Sequence, residues 1–369
     1  MKNPFVTNGY VSPEYFCDRE KETAKIVSLL TNENNIALIS PRRLGKTDLL
    51  RHCFGQPEIK EHYHTFIIDI YATSSVRDFV NVFGKAVLDE LRPKGKSVWG
   101  TFLNVLASLR SEITFDMNGQ PTWGIGLGAI TNPSATLDEI FSYLNNAGKP
   151  CLIAIDEFQQ ITKYADDPNI EAALRTHIQR CSNAHFVFSG SHRHLMGAMF
   201  TSPARPFYQS VTLINLPPIS VDKYAEFCLK HFERVSKHLD TLVVTELYER
   251  FNGITSYMQK VMNILFSMTG TGEICIPSMI DTAINDLLDF SADTYDALLY
   301  QMPEKQRIVF MAIAAEGKAN AISSGDFVRK YKLQSASSVS SAVKGLLEKD
   351  FITYDKCIYI IYSYYNIQK

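Results

Sequence analysis

Short runs that are apolar at almost every position recur through the first two-thirds of the chain, at 36–39, 65–70, 151–155, 185–189 and 210–214. A run of this kind is long enough for one strand with both faces buried, as in a parallel sheet. The spacing between the runs is helical. Residues 18–32 place Ile26, Val27, Leu29 and Leu30 at helical intervals, 76–91 and 170–181 behave alike, and 137–147 ends at Gly148 and Pro150. Strands alternating with helices predict an α/β fold with a doubly wound parallel sheet and right-handed connections. Residues 113–128 alternate and turn at Asn118-Gly119, which predicts a β-hairpin outside the main sheet.

The pattern changes at Ser220. From there to about Tyr300 it is helical throughout, with helices expected over 221–235, 243–251, 255–268 and 280–299. Beyond it, helices are expected over 304–316, 323–331 and 335–349, with Ser323 and Ser324 available as caps for the second. Two strands, 351–354 and 357–361, then flank the turn Asp355-Lys356. Three helices followed by a β-hairpin make a winged helix-turn-helix. The expected domains are therefore 1–219, carrying the hairpin insertion, then 220–300, then 301–369.

Composition alters this picture little. The 369 residues are 46% hydrophobic and 21% charged, enough for two or three ordinary domains. No apolar run is long enough to cross a bilayer, and Met1-Lys2-Asn3-Pro4-Phe5 lacks the apolar centre of a signal peptide, so a cytoplasmic location is expected. Seven Cys occur without a Cys-x-x-Cys pair, and the apolar surroundings of Cys151 and Cys275 point to free thiols. The pairs His62/His64 and His192/His194 lack a second ligand pair at zinc spacing. Net charge is −2, which argues against bulk polyanion binding. The segment 303–369 is basic, with ten Lys/Arg against six Asp/Glu; a solvated face and a DNA contact explain this equally well.

Chemistry enters at Ser40-Pro41-Arg42-Arg43-Leu44-Gly45-Lys46-Thr47, which follows the first strand and leads into a helix from Asp48. This matches the phosphate-binding loop Gly-x-x-x-x-Gly-Lys-Ser/Thr, the Walker A motif, except that Ser40 replaces the first Gly. Loop amides and a helix N-terminus favour negative charge. Lys46 would reach the β and γ phosphates, and the Thr47 hydroxyl would serve Mg²⁺. Asp156-Glu157 ends the 151–155 strand as a Walker B pair would: one carboxylate for the Mg²⁺ shell, the next to activate water. ATP is favoured over GTP, because no Asn-Lys-x-Asp motif occurs. Arg42 and Arg43 either neutralise phosphate charge or bind a partner, or else face solvent and pair with Asp69 or Asp156.

Phe16-x-x-Arg19-Glu20-x-Glu22, the Pro-Arg-Arg-x-Gly-Lys-Thr loop, Ile155-Asp156-Glu157-Phe158-Gln159, Ser189-Gly190-Ser191 with Met196, and Leu216-Pro217-Pro218-Ile219 together resemble the archaeal-type ATPase family. That family, also found in bacteria, belongs to the AAA+-like, signal-transducing (STAND) P-loop ATPases. The resemblance runs from about Asn3 to Ser267, and the tail ending Tyr359-Ile360-Ile361-Tyr362 matches the family's winged helix more loosely. It implies a P-loop core sheet of order 5-1-4-3-2, a helical lid over 220–300, and a winged helix.

It also implies that Phe16 and Arg19 lie on the adenine side. Ser189 and Ser191 stand where the family senses the γ-phosphate; strand-end capping is the alternative for both. Arg205, near the family's Gly-Arg position, would be an arginine finger reaching a neighbouring copy, or otherwise a surface ion-pair residue. The family's lid motif Gly-x-Pro reads Gly253-Ile254-Thr255 here, without the Pro and without a sensor Arg.

These readings converge on an ATP- and Mg²⁺-dependent switch with slow hydrolysis. Lys46, Glu157 and Arg205 are the catalytic candidates. Residues 40–48 with Phe16, Arg19, Ser189 and Ser191 would hold the nucleotide, and Thr47 and Asp156 the metal. The expected output is a protein or DNA partner, with self-association and without a membrane. The alternative is a DNA-binding regulator whose nucleotide is structural. The helix 335–349 is Ser-rich with Lys344 and Lys349, which suits phosphate contacts more than base reading; docking of a protein is the equal alternative.

Overall fold

The apolar runs form the centre of one parallel sheet. In the computed structural model, which describes residues 3–91, 113–115, 121–123, 132–290, 292–349, 351–355 and 358–361, the strands are β1 (Ile36–Ile39), β2 (His64–Asp69), β3 (Ile113–Phe115), β4 (Pro121–Trp123), β5 (Cys151–Asp156), β6 (Ala184–Gly190) and β7 (Thr212–Asn215). Strands β3 and β4 pair only with each other, antiparallel, as the arms of the expected hairpin; its turn at Asn118-Gly119 lies outside the described residues. The other five run parallel in the order β2-β5-β6-β1-β7. Numbered among themselves, that is the expected 5-1-4-3-2 sheet. Strands β1, β5 and β6 are buried at every position, whereas the edge strands β2 and β7 are not.

Alternate residues of these strands face two apolar cores. On one face α1 (Glu20–Thr31), α2 (Lys46–Phe54) and α3 (Pro57–His62) pack Ile26, Leu30, Leu49, Leu50 and Ile59 with Leu38, Leu152 and Val187. On the other, α4 (Val76–Glu90), α5 (Pro133–Asn145), α6 (Ile170–Arg180) and α7 (Arg193–Thr201) bring Phe79, Phe83, Phe141, Leu174 and Met199 to Ile153, Phe186 and Phe188. Phe158, Phe188, Phe200 and Phe207 form one aromatic cluster on that face. Truncating one such Phe to Ala costs about 3–5 kcal/mol.

The chain divides into two units, Val6–Lys230 with Tyr248–Ser256, and Met1–Phe5 with His231–Leu247 and Tyr257–Lys369. Its later helices are α8 (Val221–Glu233), α9 (Thr241–Phe251), α10 (Thr255–Met268), α11 (Ile280–Asp289) and α12 (Ala292–Gln301). Within the second unit the Asn3 amide donates to the Asn263 carbonyl at 2.8 Å, and the Asn263 amide returns to the Phe5 carbonyl at 2.7 Å. Phe5, fully buried, packs on Phe232 and Phe266.

The winged helix comprises α13 (Glu304–Glu316), β10 (Lys318–Asn320), α14 (Gly325–Lys330), α15 (Ala336–Glu348), β11 (Ile352–Asp355) and β12 (Ile358–Ile361). Ser324 and Ser335 cap α14 and α15, each accepting from the amide three residues on. Phe310, Ile313, Phe327, Val339, Val343 and Leu346 fill its core.

Several expectations need correction. The region after Ser220 is not wholly helical, because β8 (His238–Leu239) pairs in parallel with β9 (Ile274–Cys275). The expected 280–299 helix is two elements, since α11 stops at Asp289 and α12 begins at Ala292. Helix α5 starts at Pro133 instead of 137; the Asn132 side chain caps it and proline is tolerated in a first turn. Strand β7 starts at Thr212 because Ser210 is held in a turn by the Phe207 carbonyl. The wing has three strands, order β10-β12-β11, where two were expected. Cys357, Lys356 and Tyr362 lie outside the described residues. Among those residues, no helix is long and apolar enough to cross a membrane.

Candidate nucleotide site

The C-terminal ends of β1, β5 and β6 are neighbours in the sheet, so three chain segments meet at one edge. In open α/β sheets this edge, where the strand order reverses, is where ligands bind. The loop 40–45 leaves β1, turns through left-handed backbone at Arg43 (φ 67°) and Gly45 (φ 83°), and starts α2 at Lys46. A Cβ on Gly45 would meet nothing within 4 Å, so its positive φ, and not crowding, is what calls for glycine. Lys46 is buried, and its amine donates to the Ser40 and Pro41 carbonyls at 3.2 and 3.3 Å. The Thr47 hydroxyl donates to Asp156 Oδ2 at 2.5 Å, joining the start of α2 to the tip of β5. Asp156 Oδ1 accepts the Glu157 amide at 3.0 Å.

Glu157 itself has left-handed backbone, φ 55° and ψ 40°, at the start of a 3-10 turn, Phe158–Lys163. A non-glycine residue there costs of order 1–2 kcal/mol, and buried Phe158, packed into the aromatic cluster, pins the turn. Glu157 Oε2 accepts two hydrogen bonds, from Ser191 Oγ at 2.9 Å and from Gln159 Nε2 at 2.5 Å. Ser191 in turn accepts from Arg42 Nε at 3.2 Å, and the Arg42 guanidinium lies over the Tyr71 ring, 5.5 Å from its centroid. Ser189, fully buried, has no hydrogen-bond partner for its hydroxyl among the described residues.

Arg19 is buried with left-handed backbone; it donates to the Leu44 carbonyl of the loop at 3.5 Å and pairs with Glu22 at 3.1 Å. Phe16 stacks on His52 of α2 with ring centroids 4.4 Å apart, and the Tyr10 hydroxyl bonds the same imidazole at 3.1 Å. Burial holds the His52 pKa below the usual histidine value. Burial also raises the Asp48 carboxyl, opposed by the Arg51 charge and by a bond from the Tyr10 backbone.

Thus the predicted residues Arg42, Lys46, Thr47, Asp156, Glu157 and Ser191 form one connected cluster. Phe16, Arg19 and Asp48 lie on the adjoining N-terminal segment and helix. Arg43, exposed, contributes its carbonyl to the Ser256 amide at 3.2 Å. Arg205 is engaged elsewhere: its guanidinium pairs with Glu171 on α6, whose carboxyl is raised by burial against the lowering effect of that Arg. Sequence reasoning passed over Tyr10 and His52, and quoted Gln159 and Gly190 only as parts of the family motifs, without a role. A polar Gln inside Glu157-Phe158-Gln159-Gln160-Ile161 was a visible signal; the stacking of His52 on Phe16 was not.

A strand, a tight loop, a helix starting at Lys-Thr and an acidic pair at a neighbouring strand tip define the class: a P-loop NTPase fold. The chain matches the family of ATPase domains predominantly from Archaea over residues 16–261, and a winged helix domain over residues 293–365. It belongs to that ATPase family. No curated protein matches it. Among solved structures it is similar to a Walker-type ATPase of Pyrococcus abyssi, at 18% identity and a TM-score of 0.66, covering 99% of this chain and 98% of that one. The ORC2 protein of Aeropyrum pernix, in ADPNP–ADP complexes, follows at 14% and 0.59, covering 98% and 93%. The ORC1 protein of the same organism, in complex with DNA, stands at 12% and 0.53, covering 96% and 92%. At these identities each likeness is one of fold.

Proposed function

We propose that this chain is an ATP-driven switch that hydrolyses ATP slowly with Mg²⁺ and passes its nucleotide state from the core (1–219) through the lid (220–300) to the winged helix (301–369). The single observation that carries the reading is the Thr47–Asp156 hydrogen bond, which puts a hydroxyl and a carboxylate together beside a buried lysine. Two hard oxygens suit Mg²⁺, and a lysine at the start of a helix suits phosphate. When bound, ATP supplies a phosphoanhydride whose terminal phosphoryl group passes to water. Lys46 and the amides of the loop, flanked by Ser40, Pro41, Arg42, Arg43 and Leu44, would offset phosphate charge, and Phe16 and Arg19 would border the base. Glu157 would take the proton from water, with Ser191 and Ser189 responding to the terminal phosphate. Arg205 would act on a second copy once released from Glu171.

The test uses two variants. Lys46→Ala should lose ATP binding in calorimetric titration. Glu157→Gln should bind ATP normally and release phosphate about 10²–10⁴-fold more slowly. Equal turnover by Glu157→Gln and wild type would remove Glu157 as the base, and no turnover in wild type would remove hydrolysis from the reading.

One observation favours a second reading, a DNA-binding regulator with a structural nucleotide. A groove of about 570 Å³ in the winged helix is lined by Lys305, Gln306, Gln334, Ser335, Ser338 and Ser341, whose ammonium, amide and hydroxyl groups suit a phosphate backbone. Salt-dependent binding of duplex DNA by wild type and Lys46→Ala alike would support that alternative.

A further inference from the structure

We propose that Gln159 is a positioning residue for Glu157, fixing which oxygen of that carboxylate is left to work on water. The inference rests on the reading of Glu157 as the base. Gln159 is almost wholly buried, at 3% exposure, and sits two residues beyond Glu157. The left-handed step at Glu157 and the following 3-10 turn fold its side chain back, so that Nε2 donates to Glu157 Oε2 at 2.5 Å. Ser191 donates to the same oxygen at 2.9 Å. With two donors on Oε2, that oxygen is committed to the protein, and Oε1 is left as the proton acceptor.

The other end of Gln159 argues for function over packing. Its carbonyl Oε1 is buried without a hydrogen-bond partner among the described residues. An apolar side chain of the same size would avoid that cost. The amide cannot be turned over to relieve it, because its oxygen would then face the Glu157 carboxylate. Gly190 makes the arrangement possible: a Cβ there would lie 2.3 Å from Gln159 Oε1 and 2.6 Å from Met196. The chain thus keeps a glycine at the end of β6 to seat a buried amide whose side chain, among the described residues, bonds only the candidate base.

The experiment compares wild type, Gln159→Met, Glu157→Gln and the double variant by single-turnover phosphate release, ATP titration and thermal denaturation without nucleotide. Gln159→Met keeps the side-chain volume and removes the donor. It should lower kcat about ten- to a hundredfold with ATP affinity unchanged, and add no further loss in the Glu157→Gln background. Without nucleotide, the melting shifts of the two single changes should fail to add. Gly190→Ala, which displaces Gln159 without altering it, should reproduce the kcat loss if Gln159→Met fails to fold. Normal kcat in Gln159→Met with slow Glu157→Gln overturns the positioning role alone, as does a full additional loss in the double variant. Normal turnover by Glu157→Gln overturns the base assignment and this inference with it.

Discussion

Replacing Thr47 by Val tests the contact that joins the phosphate loop to the tip of β5. The two side chains have the same shape, so the change exchanges a hydroxyl for a methyl and leaves packing intact. What disappears is the bond to Asp156 Oδ2 at 2.5 Å, while Oδ1 keeps the Glu157 amide. Asp156 is 7% exposed, so water replaces the lost donor poorly. A hydrogen bond to a charged group contributes about 1.5–3 kcal/mol. Thr47 is half-buried, which places the expected loss near the lower end, about 1.5–2 kcal/mol. For a unit of this size each kcal/mol moves the midpoint by about 2–4 °C, so melting should fall by about 3–8 °C.

The assay is thermal denaturation without nucleotide, in chelator, with Thr47→Ser alongside as the variant that keeps the hydroxyl. Thr47→Ser should melt close to wild type. A second arm adds ATP with and without Mg²⁺; the extra stabilisation that Mg²⁺ confers on wild type should shrink in Thr47→Val and persist in Thr47→Ser. Wild-type melting by Thr47→Val would refute the claim that this bond holds the strand tip. An undiminished Mg²⁺ effect would remove Thr47 from the metal candidates.

Arg205 should act in trans, so that the turnover rate per molecule rises with protein concentration and mixing Arg205→Ala with Lys46→Ala restores activity; a concentration-independent rate without rescue would end the finger reading. Burial lowers the folded-state pKa of His52, so the unfolded chain takes up the proton first as pH falls below about 6.5, and stability should decline there. His52→Phe, which keeps the stacking with Phe16, should flatten part of that decline in melting curves between about pH 7 and about pH 5.5; an unchanged slope would exclude His52. Burial pushes the Cys17, Cys53 and Cys151 thiols up to about 12, so they should resist alkylation in the native protein at about pH 8 and react after unfolding, as read by mass spectrometry.

Legibility followed the physics of each element. Strand β1 and helices α10 and α13 matched expectation residue for residue: β1 is a four-residue apolar run closed by the phosphate loop, α10 shows an amphipathic period, and α13, only weakly amphipathic, is bounded by Pro303 and Gly317. Lys46, Thr47, Asp156 and Glu157 were legible because their chemistry is tied to fixed places on a strand–loop–helix unit. Short elements were not: β8 and β9 have two residues each, and α3 has six, too few to show a period. In helix α7 only Met196 belongs to a sequence motif; Met199 and Phe200 join it as the buried residues of a helix of nine. Contacts between distant segments, such as Arg205 with Glu171 or Gln159 under Gly190, depend on backbone placement that no local pattern encodes.

The packing of Asn3 and Phe5 with Asn263 and Phe266 bears on how the chain comes to be folded during synthesis. Asn3 and Phe5 leave the ribosome long before their partners, some 260 positions later, as the separation of Asn3 from Asn263 shows. Loop closure over that distance precedes any gain from the contact. The Val6–Lys230 sheet unit can form first, around β1 and β6, but its last segment, Tyr248–Ser256, arrives only after the chain has passed through part of the other unit. A ribosome-bound fragment ending near residue 230 should therefore hold an assembled sheet with the segment around Asn3 and Phe5 still unanchored, and Phe5 should gain protection from proteolysis only once α10 has emerged.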